Sequence, residues 1–194
     1  MNTEFKRRDC LDNLHTSALA FWMIKLMHDN PLLPHFKDPY RLLEAAGLRP
    51  GQVVMEVGCG PGFFTIPAAR MVGESGLIYA TDVSPLAIKS VEQKIGKQGL
   101  KNVVPVLVDT VSSGLADNSI DRCFVFGLRH ISGGLNSLLN DIYRVLKPGG
   151  LLSFENTIGP DTALIAEGRK AGLAAAGKQG RILKFVKNAP FETA

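Results

Sequence analysis

The sequence predicts an α/β fold in which helices cover both faces of a doubly wound, mostly parallel sheet. From Gln52 onward, short apolar runs alternate with amphipathic segments of helical length, which is typical of parallel strands joined by helices. Near the C-terminus only a short link separates a helix from the last apolar run, so one strand there is expected to run antiparallel. The chain has 194 residues, 45% of them hydrophobic and 21% charged, which suits one domain of ordinary size.

Residues 1–37 form an N-terminal segment ahead of the predicted sheet domain, residues 38–194. Residues 11–29 have helical spacing, and their apolar side chains are expected on one face: Leu14, Ala18, Phe21, Trp22 and Leu26. This face packs on the body of the protein, forms a lid over a ligand, or forms a hydrophobic surface for a partner. The segment "NPLLPHF" that follows is expected to be a loop, because two prolines interrupt it.

The first helix of the sheet domain is predicted in "DPYRLLEAAG". Asp38 can cap it, Pro39 suits its first turn and Gly47 suits its end. The predicted strands that follow are "VVMEV", "GLIYATD", "NVVPVLVD", "IDRCFVFG", "LLSFEN" and "GRILKFVKN". "VVMEV" is apolar enough to be buried on both faces. Pro105 has no N–H to donate, so the third strand is expected at an edge of the sheet.

Four further helices are predicted between the strands: "FFTIPAARMVG", "SPLAIKSVEQKIG", "GGLNSLLNDIYRVLKPGG" and "DTALIAEGRKAG". Pro67 must fall in the first turn of its helix. In the next helix we expect Ser84 as the cap, Pro85 at the first position and Gly96 at the end. The following helix has its leucines, isoleucine and valine on one stripe. The stretch "LAAAGKQG" is expected to be only the link to the last strand.

The turn after the first strand contains the residues that are expected to bind a ligand. It reads "EVGCGPGFF", with an acid at Glu56 and glycines at Gly58, Gly60 and Gly62. In doubly wound sheets the ligand lies at the carboxyl ends of the strands, and glycines let the backbone approach it closely. A dinucleotide fingerprint requires G-x-G-x-x-G. Here position 63 is Phe, so the match to that fingerprint is imperfect.

Acidic residues at the strand ends discriminate between ligands. A carboxylate at Glu56 would repel a pyrophosphate by Coulomb's law, whereas S-adenosylmethionine carries a positively charged sulfonium and an ammonium. Asp82 ends the second strand and could accept both ribose hydroxyls. Asp109 ends the third strand and could accept from an adenine amino group. Three strand ends are therefore expected to direct acids toward one crevice, unless these acids only cap or solvate the surface.

Five motifs occur in the order and at the separations typical of one enzyme family: "EVGCGPG", "YATDVSP", "VLVD", "NSIDRCFVFGLRHI" and "RVLKPGGLL". The chain resembles the class I S-adenosylmethionine-dependent methyltransferases over about residues 38–188. It is most similar to the small-molecule group that includes the menaquinone and ubiquinone biosynthesis enzymes. The resemblance implies a Rossmann-like sheet of seven strands with one antiparallel strand near the C-terminus. The loop "TVSSGLADNS" departs from the family, which usually has another acid and a Leu-Pro pair there.

The resemblance also implies which residues bind the cofactor. The residues expected to line its methionine part are Glu56, Gly58, Cys59, Gly60 and Gly62. The residues expected at its ribose and adenine are Asp82, Val83, Asp109 and Thr110. Backbone groups of Phe126 and Gly127 are expected near the amino group of the cofactor.

The methyl acceptor is less well defined by the sequence. His130 follows the fourth strand and is the best candidate for contacting the acceptor or moving a proton; alternatively, it is a loop histidine bonded to backbone. His28 and His35 are more typical of surface residues. Tyr40 and Arg41 either reach the cofactor or only pack their helix. No acidic cluster indicates a divalent metal, so no metal site is predicted.

Charge bears on whether the protein binds nucleic acid, and cysteine content indicates its cellular compartment. The net charge of +4 is too small to indicate nucleic acid by itself. Residues 169–187 hold six basic residues and no acid, but apart from Phe185 they lack the aromatic residues that stack on bases, so a solvated face is expected. Three widely spaced cysteines suit a reducing compartment. With no signal peptide and no apolar run long enough to span a bilayer, we expect a cytoplasmic protein.

The sequence therefore predicts methyl transfer to a small, partly apolar acceptor, with residues 1–40 covering the crevice alone or with a second subunit in a homodimer. Three alternatives are a cofactor-binding regulatory protein without transfer activity, a tRNA or protein methyltransferase, and a nicotinamide-dependent oxidoreductase.

Overall fold

A computed structural model describes residues 21–23, 25–26, 38–108, 112–128, 131, 133–157 and 159–188. The strands are β1 (Val53–Val57), β2 (Leu77–Asp82), β3 (Val103–Leu107), β4 (Ile120–Val125), β5 (Leu146–Glu155), β6 (Leu173–Gln179) and β7 (Ile182–Lys187). The helices are α1 (Pro39–Ala45), α2 (Thr65–Val72), α3 (Pro85–Gln98), α4 (Leu135–Val145) and α5 (Asp161–Lys170). Residues 21–23 and 25–26 are also helical.

All seven strands form one sheet in the order β3-β2-β1-β4-β5-β7-β6. The strands β1 to β5 run parallel to one another, whereas β7 is antiparallel to both β5 and β6. The predicted fold class, including its antiparallel strand, is confirmed. β3 pairs with β2 and lies at the edge, as Pro105 predicted. The strand order reverses between β1 and β4, which is where such sheets bind ligands.

The hydrophobic core lies in two clusters that share β1 and β4. In β1, Val54 belongs to the cluster that contains the buried side chains of α2 and α3. Its neighbour Met55 belongs to the cluster that contains those of α4. Because successive side chains of a strand point to opposite faces, β1 is buried on both faces, as predicted. This double burial fixes the strand whose carboxyl end carries the glycine turn.

Three predicted boundaries are wrong. α3 continues past Gly96 and ends at Gln98, where Gly99 takes the left-handed conformation with φ 65°. α4 ends at Val145, and β5 begins at Leu146 rather than Leu151, because Leu146 already pairs with Ile120 across a register shift.

The stretch predicted as a link, "LAAAGKQ", is strand β6. Most of its side chains are exposed, so it lacks the alternating apolar pattern that predicts a strand. Its conformation is set by antiparallel hydrogen bonds to β7.

At the N-terminal side, Phe21 packs on the cluster beneath α2 and α3. Trp22 and Leu26 are 58% and 59% exposed, so among the described residues of the predicted apolar face only Phe21 packs on the body of the protein. The cap of α1 is confirmed, since the backbone N–H of Tyr40 donates to Asp38 Oδ1 at 2.9 Å. The rest of residues 11–29, and the loop "NPLLPHF", lie outside the described residues. Over the described part of the chain, no helix has both the length and the apolarity needed to cross a membrane.

Candidate functional site

The glycine turn after β1 folds over the carboxyl end of β2. Gly58, Gly60 and Gly62 have φ angles of 72°, 51° and 88°, a region that favours glycine over residues with a side chain. The backbone N–H groups of Gly58 and Cys59 donate to the Thr81 carbonyl at 2.9 and 3.0 Å. The turn is therefore fixed by the neighbouring strand, and its spacing of glycines follows from its backbone conformation.

Asp82 holds both the glycine turn and the start of α3. Its Oδ2 accepts from the Gly60 N–H at 2.8 Å, and its Oδ1 accepts from the Ser84 N–H at 2.8 Å. A carboxylate has about four lone-pair sites, so these two bonds leave acceptor capacity for further donors. Next to it, Val83 is one of the exposed large hydrophobic side chains and could pack on a flat ligand ring.

Glu56 lies beneath the glycine turn and is only 2% exposed. Its Oε2 accepts from the Thr65 hydroxyl at 2.6 Å. Burial raises the pKa of Glu56 to about 8; the Thr65 hydrogen bond opposes this shift and the charge of Asp82 adds to it. Near neutral pH the buried acid therefore holds a proton, and a bound cation nearby would favour its release.

A second turn, Phe126–Leu128, follows β4 and contacts the first. Gly127 has φ 66°, and its N–H donates to Glu155 Oε2 at 2.9 Å. The Thr157 hydroxyl donates to the Leu128 carbonyl at 3.3 Å. The Leu128 Cδ1 atom would lie only 2.7 Å from a Cβ built on Gly58, so the leucine occupies the space that a side chain there would need.

Phenylalanine rings pack where the two turns meet. The Phe64 ring lies 5.3 Å from the Phe126 ring and 6.4 Å from the Phe124 ring, each in an edge-to-face arrangement. Phe124 and Phe126 are themselves 5.1 Å apart. These rings give both turns a rigid apolar support. Beside them, burial, together with the charges of Glu56 and Asp82, raises the pKa of the Cys59 thiol, so this cysteine is an inert packing residue.

The structure brings together most of the predicted site residues: Glu56, Gly58, Cys59, Gly60, Gly62, Asp82, Val83, Phe126 and Gly127. Asp109, Thr110 and His130 lie outside the described residues, as do His28 and His35. At the start of α1, Arg41 pairs with Asp38 at 3.5 Å and Tyr40 is partly exposed. Among the described residues, no hydrogen bond or ion pair connects Tyr40 or Arg41 with the glycine turn.

Sequence reasoning missed Thr65, Leu128, Glu155 and Thr157. Glu155 had a signal that could have been used, because it is an acid that ends an apolar strand, as Glu56 does. Thr65 and Leu128 had no such signal, since their roles depend on contacts with other elements.

The residues of the crevice fit a cationic ligand better than a pyrophosphate. Glu56, Asp82 and Glu155 provide three carboxyl groups, and the described parts of the turns after β1, β2, β4 and β5 contain no lysine, arginine or histidine. Arg129 and His130, next in the chain after Leu128, lie outside the described residues. Space is also present, since a Cβ built on Gly60 or Gly127 would meet no atom within 4 Å. The three carboxyl groups and the open space at the two glycines therefore fit S-adenosylmethionine.

Comparison with known sequences points to the same family. The family described as "Methyltransferase domain" matches residues 54–150, half of the chain. The demethylmenaquinone methyltransferase of Geobacillus stearothermophilus is 32% identical over 118 residues, which cover 60% of this chain and 50% of that protein. The ubiquinone/menaquinone biosynthesis C-methyltransferase of Klebsiella pneumoniae is 34% identical over 112 residues, which cover 57% and 44%. The chain thus spans about half the length of the curated relatives it matches.

Comparison with solved structures agrees. A SAM-dependent methyltransferase from Aquifex aeolicus superposes with a TM-score of 0.73 at 27% identity, covering 84% of this chain and 95% of that one. The [4+2]-cyclase SpnF superposes with a TM-score of 0.61 at 24% identity, over 71% and 58% of the two chains. That second likeness shows the fold alone. The chain therefore belongs to the methyltransferase-domain family, as the five sequence motifs predicted, and S-adenosylmethionine is its cofactor.

Proposed function

We propose that this protein transfers a methyl group to a small, partly apolar acceptor by in-line displacement. When bound, the cofactor supplies a methyl group on a positively charged sulfur, which leaves as a neutral thioether as the acceptor attacks. Most of what such a site needs from the protein is position. The two interlocked turns support this proposal, because they fix backbone groups and carboxylates around one crevice before any ligand binds.

On the cofactor side, we assign three roles. Asp82, whose two oxygens are oriented by the Gly60 and Ser84 N–H groups, accepts from the ribose hydroxyls. Glu56 supplies negative charge beneath the methionine part of the cofactor. Val83 packs against the adenine, and we retain Asp109 and Thr110 as its hydrogen-bonding partners on the strength of the family resemblance.

We infer an apolar acceptor from the exposed side chains of the N-terminal helix. Trp22, Met23 and Leu26 are all exposed by more than half. Between them, the Lys25 ammonium donates to the Ser90 hydroxyl at 3.2 Å, and Ser90 donates to the Pro61 carbonyl in the glycine turn at 3.3 Å. This chain of hydrogen bonds links the helix that carries these exposed apolar side chains to the turn that we propose for the cofactor. Such a surface suits an apolar acceptor.

His130 is our candidate for the group that receives the acceptor proton. A carbon acid or a phenol must lose a proton as its bond to the methyl group forms, and a base nearby helps. His130 follows Leu128, which rests on Gly58, by two residues in the chain. The reaction is proposed for the cytoplasm, since the free thiols of Cys59 and Cys123 suit a reducing compartment.

A nucleic-acid acceptor is not favoured by the basic C-terminal segment. Lys178 forms an ion pair with Asp161, and Lys170 forms one with Glu167. Lys187 is buried and donates to Asn118 Oδ1 at 2.8 Å. Lys184 also donates to Gln179 Oε1 at 3.3 Å, so four of the six basic residues of this segment have a side-chain partner within the protein, which leaves a weak footprint for phosphate groups.

Turnover of methyl-labelled cofactor tests the proposal. The relatives at 32–34% identity are named for demethylmenaquinone and for ubiquinone and menaquinone biosynthesis, so reduced demethylmenaquinone is the first acceptor to assay. We expect label in the organic phase, with an equal amount of S-adenosylhomocysteine formed. A His130→Ala variant should bind the cofactor normally and transfer more slowly.

The alternatives give different results in the same assay. Tight binding of S-adenosylhomocysteine without label transfer to any of a panel of quinols and phenols would favour a cofactor-binding protein without transfer activity. Label in added tRNA, with salt-sensitive binding, would favour a tRNA methyltransferase. Binding of NADH but not of S-adenosylhomocysteine would reject the proposal.

A further inference from the structure

Glu155 is a buried acid that lies at the carboxyl end of β5, one strand beyond the turn Phe126–Leu128. It is 9% exposed, and its backbone pairs with Ile182 of β7. Its side chain reaches toward β4, where Oε2 accepts from the Gly127 N–H at 2.9 Å. Burying a carboxyl group is costly unless it is hydrogen-bonded, so this contact requires a reason.

The hydrogen bond sets the orientation of one peptide group. A trans peptide directs its C=O opposite to its N–H. With the Gly127 N–H directed at Glu155, the Phe126 carbonyl is turned away from β5. In the sheet order, β1 lies on the other side of β4. The Phe126 carbonyl is therefore directed to the side on which the glycine turn lies.

Two more contacts hold the same turn. The Thr157 hydroxyl donates to the Leu128 carbonyl, and the Leu128 side chain lies against Gly58. Both contacts leave the peptide between Phe126 and Gly127 free to rotate, because Gly127 tolerates a wide range of backbone angles. In the described residues, packing of the Phe126 ring on Phe64 and Phe124 holds one end of this peptide, and the Glu155 hydrogen bond fixes its N–H.

We infer that Glu155 is a positioning residue for cofactor recognition. By holding the Gly127 N–H, it keeps the Phe126 carbonyl directed at the ammonium group of the bound cofactor, which Glu155 itself does not touch. This inference rests on the proposed binding mode, in which Phe126 and Gly127 lie near that ammonium. An acid that acted only through its charge would require no such hydrogen bond.

Two ligands that differ only in the amino-acid part test the inference. S-adenosylhomocysteine carries the ammonium, whereas 5′-methylthioadenosine has the same adenosine and lacks it. Calorimetry should be done with the full chain and with Glu155→Met, which is similar in size but accepts no hydrogen bond. We expect Glu155→Met to weaken S-adenosylhomocysteine about tenfold and to leave methylthioadenosine within about twofold.

Two further variants make the test specific. In Glu155→Gln the amide oxygen can accept from Gly127 without the charge, so binding of S-adenosylhomocysteine should return to within about threefold of the wild type. Glu167→Gln changes an acid on α5 whose partners, Lys170 and Asn136, lie at the surface, and should change neither affinity. If Glu155→Met does not fold, Glu155→Asp, too short for the 2.9 Å contact, should show the same selective loss.

Several results would overturn the inference. Equal weakening of both ligands, or of neither, would show that Glu155 does not act on the amino-acid part. A Glu155→Gln variant as weak as Glu155→Met would show that its charge acts, and not its position. Failure of both Glu155→Met and Glu155→Asp to fold would make Glu155 a structural residue. Wild-type protein that binds neither ligand would instead reject the proposed cofactor, and this inference with it.

Discussion

The cofactor side and the acceptor side of the crevice are built in different ways. On the cofactor side, the glycine turn and Asp82 are fixed by backbone hydrogen bonds of 2.8–3.0 Å, and Glu56 lies buried beneath them. On the side that we propose for the acceptor, Trp22 and Leu26 are exposed on a helix that is held by Phe21, which packs on the core, and by Lys25, which donates to Ser90 of α3. From this difference we infer that the protein preorganises the site of its cofactor and leaves an adaptable apolar surface for the methyl acceptor.

The largest effect is expected from Asp82→Ala, because on the cofactor side this one side chain accepts two backbone hydrogen bonds. The substitution leaves the Gly60 and Ser84 N–H groups without their acceptor and removes the proposed ribose contact. Because each hydrogen bond to a charged group contributes about 1.5–3 kcal/mol, we expect affinity for S-adenosylhomocysteine to fall at least about 100-fold. Calorimetry measures this loss. An affinity within about threefold of wild type would show that the two sides do not differ as described.

A smaller effect is expected from Gly58→Ala, which tests whether the turn itself is preorganised. At φ 72° an alanine is strained, and its Cβ would lie 2.7 Å from Leu128 Cδ1. We expect cofactor affinity to fall about tenfold or more, with a lower melting temperature. Gly96→Ala is the matched control, because Gly96 lies inside α3 with open space around its Cβ position. It should raise stability by up to about 1 kcal/mol and leave binding unchanged.

A pH dependence is expected from Glu56, whose pKa is raised from 4.5 to about 8. If the cation binds the ionised form, affinity for S-adenosylmethionine should fall by up to about tenfold per pH unit below pH 8, with release of a proton on binding. Glu56→Gln should abolish this slope. Calorimetry in buffers of different ionisation enthalpy counts the proton, and an equal slope in both proteins would contradict the assignment.

The same group affects the stability of the unliganded protein. Because the folded pKa exceeds the unfolded pKa, the folded state holds a proton that the unfolded state has released between pH 4.5 and 8. The contribution of Glu56 to the free energy of unfolding is therefore fully present below pH 4.5 and is lost as pH rises toward 8. Glu56→Gln should flatten this decline in denaturant titrations.

The smallest effect is expected on the acceptor side, from Trp22→Ala. Loss of one exposed aromatic surface should raise KM for an apolar acceptor a few fold, about 1 kcal/mol, and leave cofactor affinity unchanged. Val104→Ala on β3 is the control, since it removes exposed apolar surface from an edge strand. Equal effects of the two substitutions would show that residues 21–26 do not contact the acceptor.

The sequence predicted the elements whose signals are local. Alternating strands and helices predicted the doubly wound sheet, Pro105 predicted the edge strand, and the glycines at 58, 60 and 62 predicted a turn with positive φ angles. These signals were sufficient because backbone conformation and missing N–H groups are properties of single residues. The cofactor was also predicted, because acids at several strand ends disfavour a phosphate-linked ligand and because five motifs resemble those of the methyltransferase family.

Elements that depend on distant partners were not predicted. β6 has mostly exposed side chains and exists because β7 provides hydrogen bonds, and β5 begins early because Leu146 pairs with Ile120. Helical spacing placed Trp22 on one face with Phe21, but spacing alone does not tell which side chains of that face are covered. In each case the deciding contact lies across the fold.

The sequence alone specified the fold class, the glycine turn and the acidic residues at the strand ends, because these follow from residue types and from near neighbours in the chain. The tertiary structure alone decided that Thr65 and Asp82 shift the pKa of Glu56 in opposite directions, that Leu128 closes on Gly58, and that Glu155 holds the Gly127 N–H. These features depend on burial and on distances of a few ångströms between residues far apart in sequence. Only the packed sheet can set such distances.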